Sequence, residues 1–338
     1  MNYRTHQSAS PITLESGTQL PGYHLGYTTH GRLNEEKDNV IWIFHALTAN
    51  SNPEEWWPGL CGAGKLFDPA DHFIVCVNMP GSCYGSIGPL DKNPGSGLPY
   101  YHGFPLFTPR DMIRAYQPLR HYLGIEKIKL GIGGSMGGQQ LLEWAIEEPG
   151  LFEYIVPVAT NTVHSAWARA FNASQRMSIE ADCTWQSEDP LAGINGMKAA
   201  RSMALLSYRH YDTYHAGQSE TEHSKLENYK SESYQRYQGE KLARRFNAFS
   251  YYFLSKSMDS HDVGRQRGSA AEALKLITAK ALVIGINTDI LFPVSEQQFI
   301  AKHITGARFE AIDSLYGHDG FLLEFEKIES LIRSFLNS

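Results

Sequence analysis

The chain has 338 residues, 42% hydrophobic and 20% charged, with a formal net charge of −6. That length can bury a large core, as one big domain or one domain with an insertion. The acidic balance, with no basic run beyond short pairs such as Arg244-Arg245, argues against nucleic acid as a partner, and no stretch approaches the ~20 apolar residues of a membrane span.

The first residues, Met1 to Ser8, carry no hydrophobic region of signal-peptide type, so a cytoplasmic protein is expected. Ile12–Leu14 and Tyr23–Thr29 read as early antiparallel strands. Val40–Phe44 and Phe73–Asn78 are nearly continuous apolar runs, as strands buried on both faces require. Between them lies a loop-rich stretch ending in Trp56-Trp57 and Gly62-Ala63-Gly64. A helix is expected from about Pro109 to Leu123, with Thr108 as N-cap and Pro109 in the first position. The apolar run Ile128–Ile132, a glycine-rich turn, a helical pattern over Gln139–Ile146 and a strand over Tyr154–Val158 follow. This alternation implies a parallel sheet flanked by helices, an α/β class. From about Asn161 to Gly268 the sequence is polar and helical, and strands resume at Ala281–Ile286 and Arg308–Ile312 before a closing helix near Glu324–Leu336. The expected organisation is a core of residues 1–160 and 269–338 with a helical lid, 161–268, inserted between late strands. Cys61, Cys76, Cys83 and Cys183 lack C-x-x-C spacing, so neither a zinc site nor a disulfide framework is indicated. The cluster from Tyr208 to His215 reads as lid surface or dimer contact rather than a metal site.

The chemistry centres on Gly133-Gly-Ser-Met-Gly137. A G-x-S-x-G turn between a strand and a helix is a nucleophile elbow, in which the serine hydroxyl is thrust out of the sheet on a strained turn. Gly133 and Gly137 leave no Cβ to clash with that turn. A serine needs a base and a group to orient the base. In doubly wound serine enzymes these follow in the order acid, then histidine, each at the carboxyl end of a strand. Asp289 follows Ala281–Ile286, and His318 lies in the loop after Arg308–Ile312. Asp262, Asp313 and Asp319 are competing carboxylates, less well placed. The oxyanion hole requires the backbone N–H of Met136 and one from an earlier loop, for which Leu47 in His45-Ala-Leu-Thr48 is the candidate. His45 itself reads as a loop brace.

Taken together, His45-Ala-Leu-Thr48, Trp56-Trp57 with Gly62-Ala-Gly64, Cys83-Tyr-Gly-Ser-Ile-Gly-Pro89, the elbow, Ser257-Met-Asp-Ser-His-Asp262 and Gly317-His-Asp-Gly-Phe-Leu322 resemble the homoserine O-acetyltransferase family of α/β-hydrolase-fold enzymes. The likeness spans about Leu25 to Phe321. It implies acetyl transfer from acetyl-CoA to L-homoserine, feeding methionine synthesis, by a ping-pong route through acetyl-Ser135. His318 would be the base and Asp289 its partner, with acetyl-CoA as co-substrate and no permanently bound cofactor or metal. The resemblance also places substrate binding on Arg201 and Asp319, and it suggests a homodimer through the lid. A zwitterionic acceptor suits such a pair: a guanidinium for its carboxylate, a carboxylate for its ammonium. Arg176 is a rival for the guanidinium role. The chain departs from the family pattern at Ala49-Asn50, Pro80-Gly-Ser-Cys83 and Gln139-Gln140, near the expected acyl pocket; Trp56-Trp57 is either at its entrance or, as aromatic pairs more often are, a packing pair. Succinyl for acetyl and serine for homoserine therefore remain alternatives, and a hydrolase with the same triad is the alternative from another class. A non-catalytic binding module is disfavoured because no triad member is missing.

Overall fold

The computed structural model describes residues 3–338. Its strands are β1 (Arg4–Ser8), β2 (Ile12–Thr13), β3 (Gln19–Leu20), β4 (Tyr23–His30), β5 (Val40–Phe44), β6 (Phe73–Val77), β7 (Ile128–Gly134), β8 (Phe152–Val158), β9 (Lys280–Ile286) and β10 (Arg308–Ile312). Eight of them form one sheet in the order β1-β4-β6-β5-β7-β8-β9-β10. The first two pairings are antiparallel and the other five parallel. The expected strand at Ile12–Leu14 is real but stands outside this sheet, closing a small hairpin with β3. The sheet begins instead with β1, whose sequence Arg-Thr-His-Gln-Ser shows no apolar alternation because it is a half-exposed edge.

The central strands are apolar on both faces for a visible reason. Val40, Trp42 and Phe44 of β5 join one core cluster, while Ile41 and Ile43 join the other. The first cluster is capped by α2 (Pro109–Tyr122) and α3 (Met136–Glu147), where Tyr116 and Trp144 enclose Trp42. The second lies under α12 (Phe325–Leu336), which inserts Ile328, Ile332 and Phe335. α2 starts as its sequence predicts: Thr108 accepts from Asp111 N, and the Asp111 side chain answers to the Thr108 N–H. α3 begins at Met136, directly after Ser135, earlier than the apolar spacing from Gln139 indicates.

The short helices α1 (Pro53–Trp56), α9 (Ala270–Leu274), α10 (Val294–His303) and α11 (Gly320–Leu323) complete the core. After β8 and ahead of α9 come the helices of the insertion: α4 (Ala166–Glu180), α5 (Ile194–Tyr208), α6 (Tyr211–Gln218), α7 (Lys230–Ala243) and α8 (Ala248–Asp259). At the base of this insertion Val163 and Asp262 form an antiparallel bridge, so its two ends leave the sheet side by side. Glu15, Glu143 and Glu147 fasten the segment after α8 to the core through Arg265 and Arg267. Among the described residues no helix is long and apolar enough to cross a membrane.

Candidate active site

β7 delivers Ser135 at φ 56 and ψ −125, a conformation that costs a non-glycine residue ~1–3 kcal/mol. Four hydrogen bonds hold it there. Ser135 N donates to Val158 O (3.0 Å), and its carbonyl accepts from Gly138 N (3.0 Å), Gln139 N (3.2 Å) and Thr160 Oγ1 (2.7 Å). The glycines act as expected: a Cβ on Gly133 would lie 2.5 Å from the Gly137 carbonyl carbon, and one on Gly137 would lie 2.1 Å from Phe44 O. The elbow is thereby pressed against the end of β5. That contact brings the His45–Thr48 loop beside the first turn of α3.

His45 braces this loop. Met79 N–H donates to its Nε2 (3.1 Å), so Nδ1 carries the proton and donates to Ala46 O (2.9 Å). Burial pushes its imidazole down to about 4, which keeps it neutral. The Leu47 N–H donates to no group among the described residues. Met136 is the first residue of α3, where an N–H has no acceptor within its own helix. Both amides are thus available beside Ser135.

Asp289, past the end of β9, uses both oxygens. Oδ1 accepts from Leu291 N (2.8 Å) and Phe292 N (2.9 Å), and Oδ2 lies 2.6 Å from His318 Nδ1. The carboxylate therefore fixes the proton on Nδ1 and leaves Nε2 as a lone-pair base. Tyr208, Phe292 and Phe321 pack around the imidazole at centroid distances of 5.7, 5.1 and 5.2 Å. Of the rival carboxylates, Asp262 accepts from Gly264 N and Asp313 from Asn287 Nδ2. Neither approaches the histidine.

Ser135 and His318 share a small cavity, about 70 Å³, with Leu47, Arg201, Tyr208 and Asp319. Arg201 reaches in from α5 with its guanidinium carbon 5.6 Å from the Tyr208 ring centre, and it forms no ion pair among the described residues. Arg176 does not line this cavity; it donates to Ser255 Oγ (3.1 Å) and Asp259 Oδ2 (2.6 Å). Asp319 is paired with Arg209, Nε to Oδ2 3.0 Å. Burial pushes the Asp319 carboxyl up, and the guanidiniums of Arg209 and Arg201 oppose that rise. Among the described residues no group of three or more His, Cys, Asp or Glu is arranged to hold a metal ion.

The α/β-hydrolase-fold family model matches residues 39–325. A homoserine O-acetyltransferase of Cyclobacterium marinum is 51% identical over 324 residues, covering 96% of this chain and 92% of that relative. One from Chlorobium chlorochromatii is 42% identical, with coverages of 98% and 94%. The chain belongs to the homoserine O-acetyltransferase family. Among solved structures, a homoserine O-acetyltransferase from Bacillus anthracis superposes with a TM-score of 0.89 at 24% identity, over 100% of this chain and 98% of that one. Esterase E22 reaches 0.88, also at 24% identity, over 99% of each chain. At those identities the likeness is one of fold.

Against the family resemblance, several expected positions move. Gln139 and Gln140 do not line the cavity. Gln139 Nε2 donates to Asn161 Oδ1 (2.9 Å), and Gln140 Oε1 accepts from Tyr116 Oη (2.7 Å), both in the interior. Asn50 ties itself to Glu55 and Asn52, and Ser82 and Cys83 border a separate cleft. Trp56 and Trp57 stack on each other away from the cavity, and Trp57 Nε1 donates to Phe321 O (2.8 Å), fastening the loop behind His318. Tyr208 and Arg209, at the head of a cluster read as lid surface, belong to the site instead. Gly317, at φ 61, lets the histidine loop come within 2.9–3.0 Å of 208–210, measured from a Cβ built on it. The glycine directly before the histidine is the one sequence signal for that contact; in the rest of the cluster Tyr211, Asp212 and His215 are exposed, while His210, Thr213 and Tyr214 are half-buried.

Proposed function

We propose that this chain transfers an acetyl group from acetyl-CoA to the γ-hydroxyl of L-homoserine, supplying methionine synthesis. The observation that carries this reading is an unpaired guanidinium, Arg201, sharing a small cavity with a Ser135–His318–Asp289 set, in a chain 51% identical to a homoserine O-acetyltransferase.

In the first half-reaction Ser135 Oγ attacks the thioester carbonyl while His318 Nε2 takes its proton. The oxyanion is held by the Leu47 and Met136 amides. Collapse breaks the C–S bond, and His318 returns the proton to the departing thiolate. In the second half, His318 deprotonates the homoserine hydroxyl, which attacks acetyl-Ser135 and regenerates the serine. Arg201 receives the amino acid's carboxylate and Asp319 its ammonium. No cofactor stays bound between turnovers. The small cavity supports acetyl over succinyl, since the longer acyl group would bring a second carboxylate into it.

The helical insertion, residues 161–268, acts as a lid that keeps the acyl-serine from water, supported by Arg201 and Tyr208 on its helix α5 forming the cavity wall. Exposed apolar side chains on this insertion, Leu206, Tyr211 and Leu226 among them, support a homodimer through it. Four unpaired cysteines fit the reducing cytoplasm.

The deciding experiment follows free CoA thiol from acetyl-CoA with and without L-homoserine, with succinyl-CoA and L-serine as alternatives. Release that needs homoserine is the expected result. Release indifferent to the acceptor would mean that water takes the acyl group, and the enzyme would be a hydrolase.

A further inference from the structure

A corner of the helical insertion meets the cavity wall from outside. α7 ends at Ala243, and Arg244 and Arg245 follow before α8 opens at Ala248. Arg245 Nη1 donates to Thr48 O (2.6 Å) and to Tyr84 Oη (2.5 Å). Thr48 is part of the cavity wall, one residue beyond Leu47. The corner is anchored: Phe246 is buried edge-on to Tyr84 at 5.7 Å, and Cys83 Sγ donates to Arg245 O at 3.5 Å.

The rest of the corner is charged and unspent. Nη2 and Nε of Arg245 meet no acceptor among the described residues. Arg244 is exposed, and so is Lys241 one turn earlier on α7. The ion pairs of α7 are Lys198–Glu240 and Arg236–Glu232, and among the described residues Lys241, Arg244 and Arg245 form none. Across Tyr84, Glu55 is engaged by Asn50 Nδ2 and Asn52 Nδ2. Arg245 thus touches the outside of the cavity wall, and Lys241 and Arg244, within one helical turn of it in sequence, are exposed cations without an ion pair among the described residues, on a chain whose net charge is −6.

We propose that Lys241, Arg244 and Arg245 form the subsite that holds the phosphate groups of the coenzyme A thioester. The inference rests on acetyl-CoA being the donor. A cavity of about 70 Å³ admits only the acyl end of such a molecule, so its phosphates stay in solvent near the mouth. A guanidinium whose Nε–Nη2 edge is free binds phosphate in a fork, and the bonds from Nη1 to Thr48 and Tyr84 hold Arg245 in place before the ligand arrives. Basic groups at the mouth also steer a polyanion inward.

A merely structural role for Arg245, bracing the loop that carries the Leu47 amide, would slow every acyl donor alike. The test therefore compares kcat/KM for acetyl-CoA with that for S-acetylpantetheine, which keeps the thioester and arm but has no phosphate. Arg244→Gln, Arg245→Gln and the exposed control Arg236→Gln are assayed, each after a thermal melt verifies folding. In the first two, the ratio of acetyl-CoA to S-acetylpantetheine efficiency falls about tenfold, the effect of losing one charge-assisted contact, and the control keeps the native ratio. The native enzyme's preference for acetyl-CoA also shrinks as salt rises. An unchanged ratio in Arg244→Gln and Arg245→Gln overturns the subsite, as does an equal loss with both donors. A native chain that uses neither donor when homoserine is supplied overturns the acetyltransferase reading as well, a result visible before any variant is made.

Discussion

Arg209 Nε lies 3.0 Å from Asp319 Oδ2, and that pairing sets the charge of the carboxyl proposed to meet the acceptor's ammonium. Burial alone would favour a neutral Asp319, while Arg209 and Arg201 hold it toward the carboxylate. With Arg209 spent on Asp319, Arg201 lines the cavity as a guanidinium without an ion pair among the described residues, which favours an acceptor that brings a carboxylate of its own.

Removing that partner has a defined signature. Arg209→Gln lets burial raise the Asp319 carboxyl further, so the ionised form needed to hold an ammonium appears only at higher pH. The acceptor KM rises by about tenfold or more, and its pH profile moves in the alkaline direction. Acylation of Ser135 by p-nitrophenyl acetate, read as a burst of nitrophenolate, does not need Asp319 and continues. A burst lost together with transfer would mean that Arg209 supports the fold and not the pocket charge.

The proposed triad makes a sharper demand. Ser135→Ala abolishes turnover. Asp289→Asn keeps the shape but offers an N–H where His318 Nδ1 now donates, forcing the proton to Nε2, where it blocks the base. A loss of about 10⁴ in kcat is expected, the size seen when such a tautomer is inverted in serine proteases. A decrease below tenfold would show that Asp289 does not set the tautomer.

Gly137→Ala tests the elbow's geometry. The new Cβ would stand 2.1 Å from Phe44 O, a backbone atom at the end of the central strand β5 that cannot readily yield. Destabilisation of about 3 kcal/mol is expected in urea unfolding, because relief requires moving α3 away from β5. Wild-type stability in this variant would disprove the close apposition.

Glu143 sits at the centre of a buried ion network, 3.1 Å from Arg110 Nε and 2.7 Å from Arg267 Nη1. Glu143→Gln removes the carboxylate the two guanidiniums share, while Arg110 keeps Glu15 and Arg267 keeps Glu147, at a cost of about 1–3 kcal/mol. Because Arg267 follows α8, the insertion should loosen first. Limited proteolysis between Asp262 and Ser269 would reveal it, and unaltered protection would count against the network's role as a tether.

Acid should unfold the protein from an unusually mild pH. Burial holds His45 near 4 and His164 and His261 near 3, below the ordinary 6.5 of an unfolded chain. Below about 6.5 the unfolded state binds protons that the folded state refuses, so stability is lost as pH falls from there toward 4. Each histidine contributes a slope of up to ~1.4 kcal/mol per pH unit. Glu296, raised to about 7 by burial, works in the opposite sense between pH 4.5 and 7 and offsets one of the three. The urea midpoint should thus fall steadily between pH 6.5 and 4.5, and a flat midpoint there would contradict the burial of these histidines.

What could be read from the sequence follows from what the residues must satisfy locally. Val40–Phe44 and Ala281–Ile286 announce themselves because a strand buried on both faces has no room for polar residues. Ser135 is legible because its turn tolerates so few neighbours, and the order Ser135, Asp289, His318 because each follows a strand. β1 is not legible, since an edge strand made of Arg, Thr, His, Gln and Ser earns its pairing only from β4. Arg209 was hidden for a similar reason: a polar residue at the end of a helix looks solvated until the chain returns 110 residues later with Asp319. Gln139 and Gln140 misled in the opposite direction, being next to the serine in sequence while their side chains turn into the interior.

The bond from Trp57 to the carbonyl of Phe321 joins residues 264 apart. Its consequence lies in the order of synthesis. A ribosome that has released the chain through β8 has supplied Ser135 and the Leu47 and Met136 amides, but neither Asp289 nor His318, the acid and base of the proposed mechanism. Those come with the last two strands, and the indole that secures them has been waiting since the first sixth of translation. A nascent chain should therefore be chemically silent until its final fifty residues have emerged and closed against its beginning.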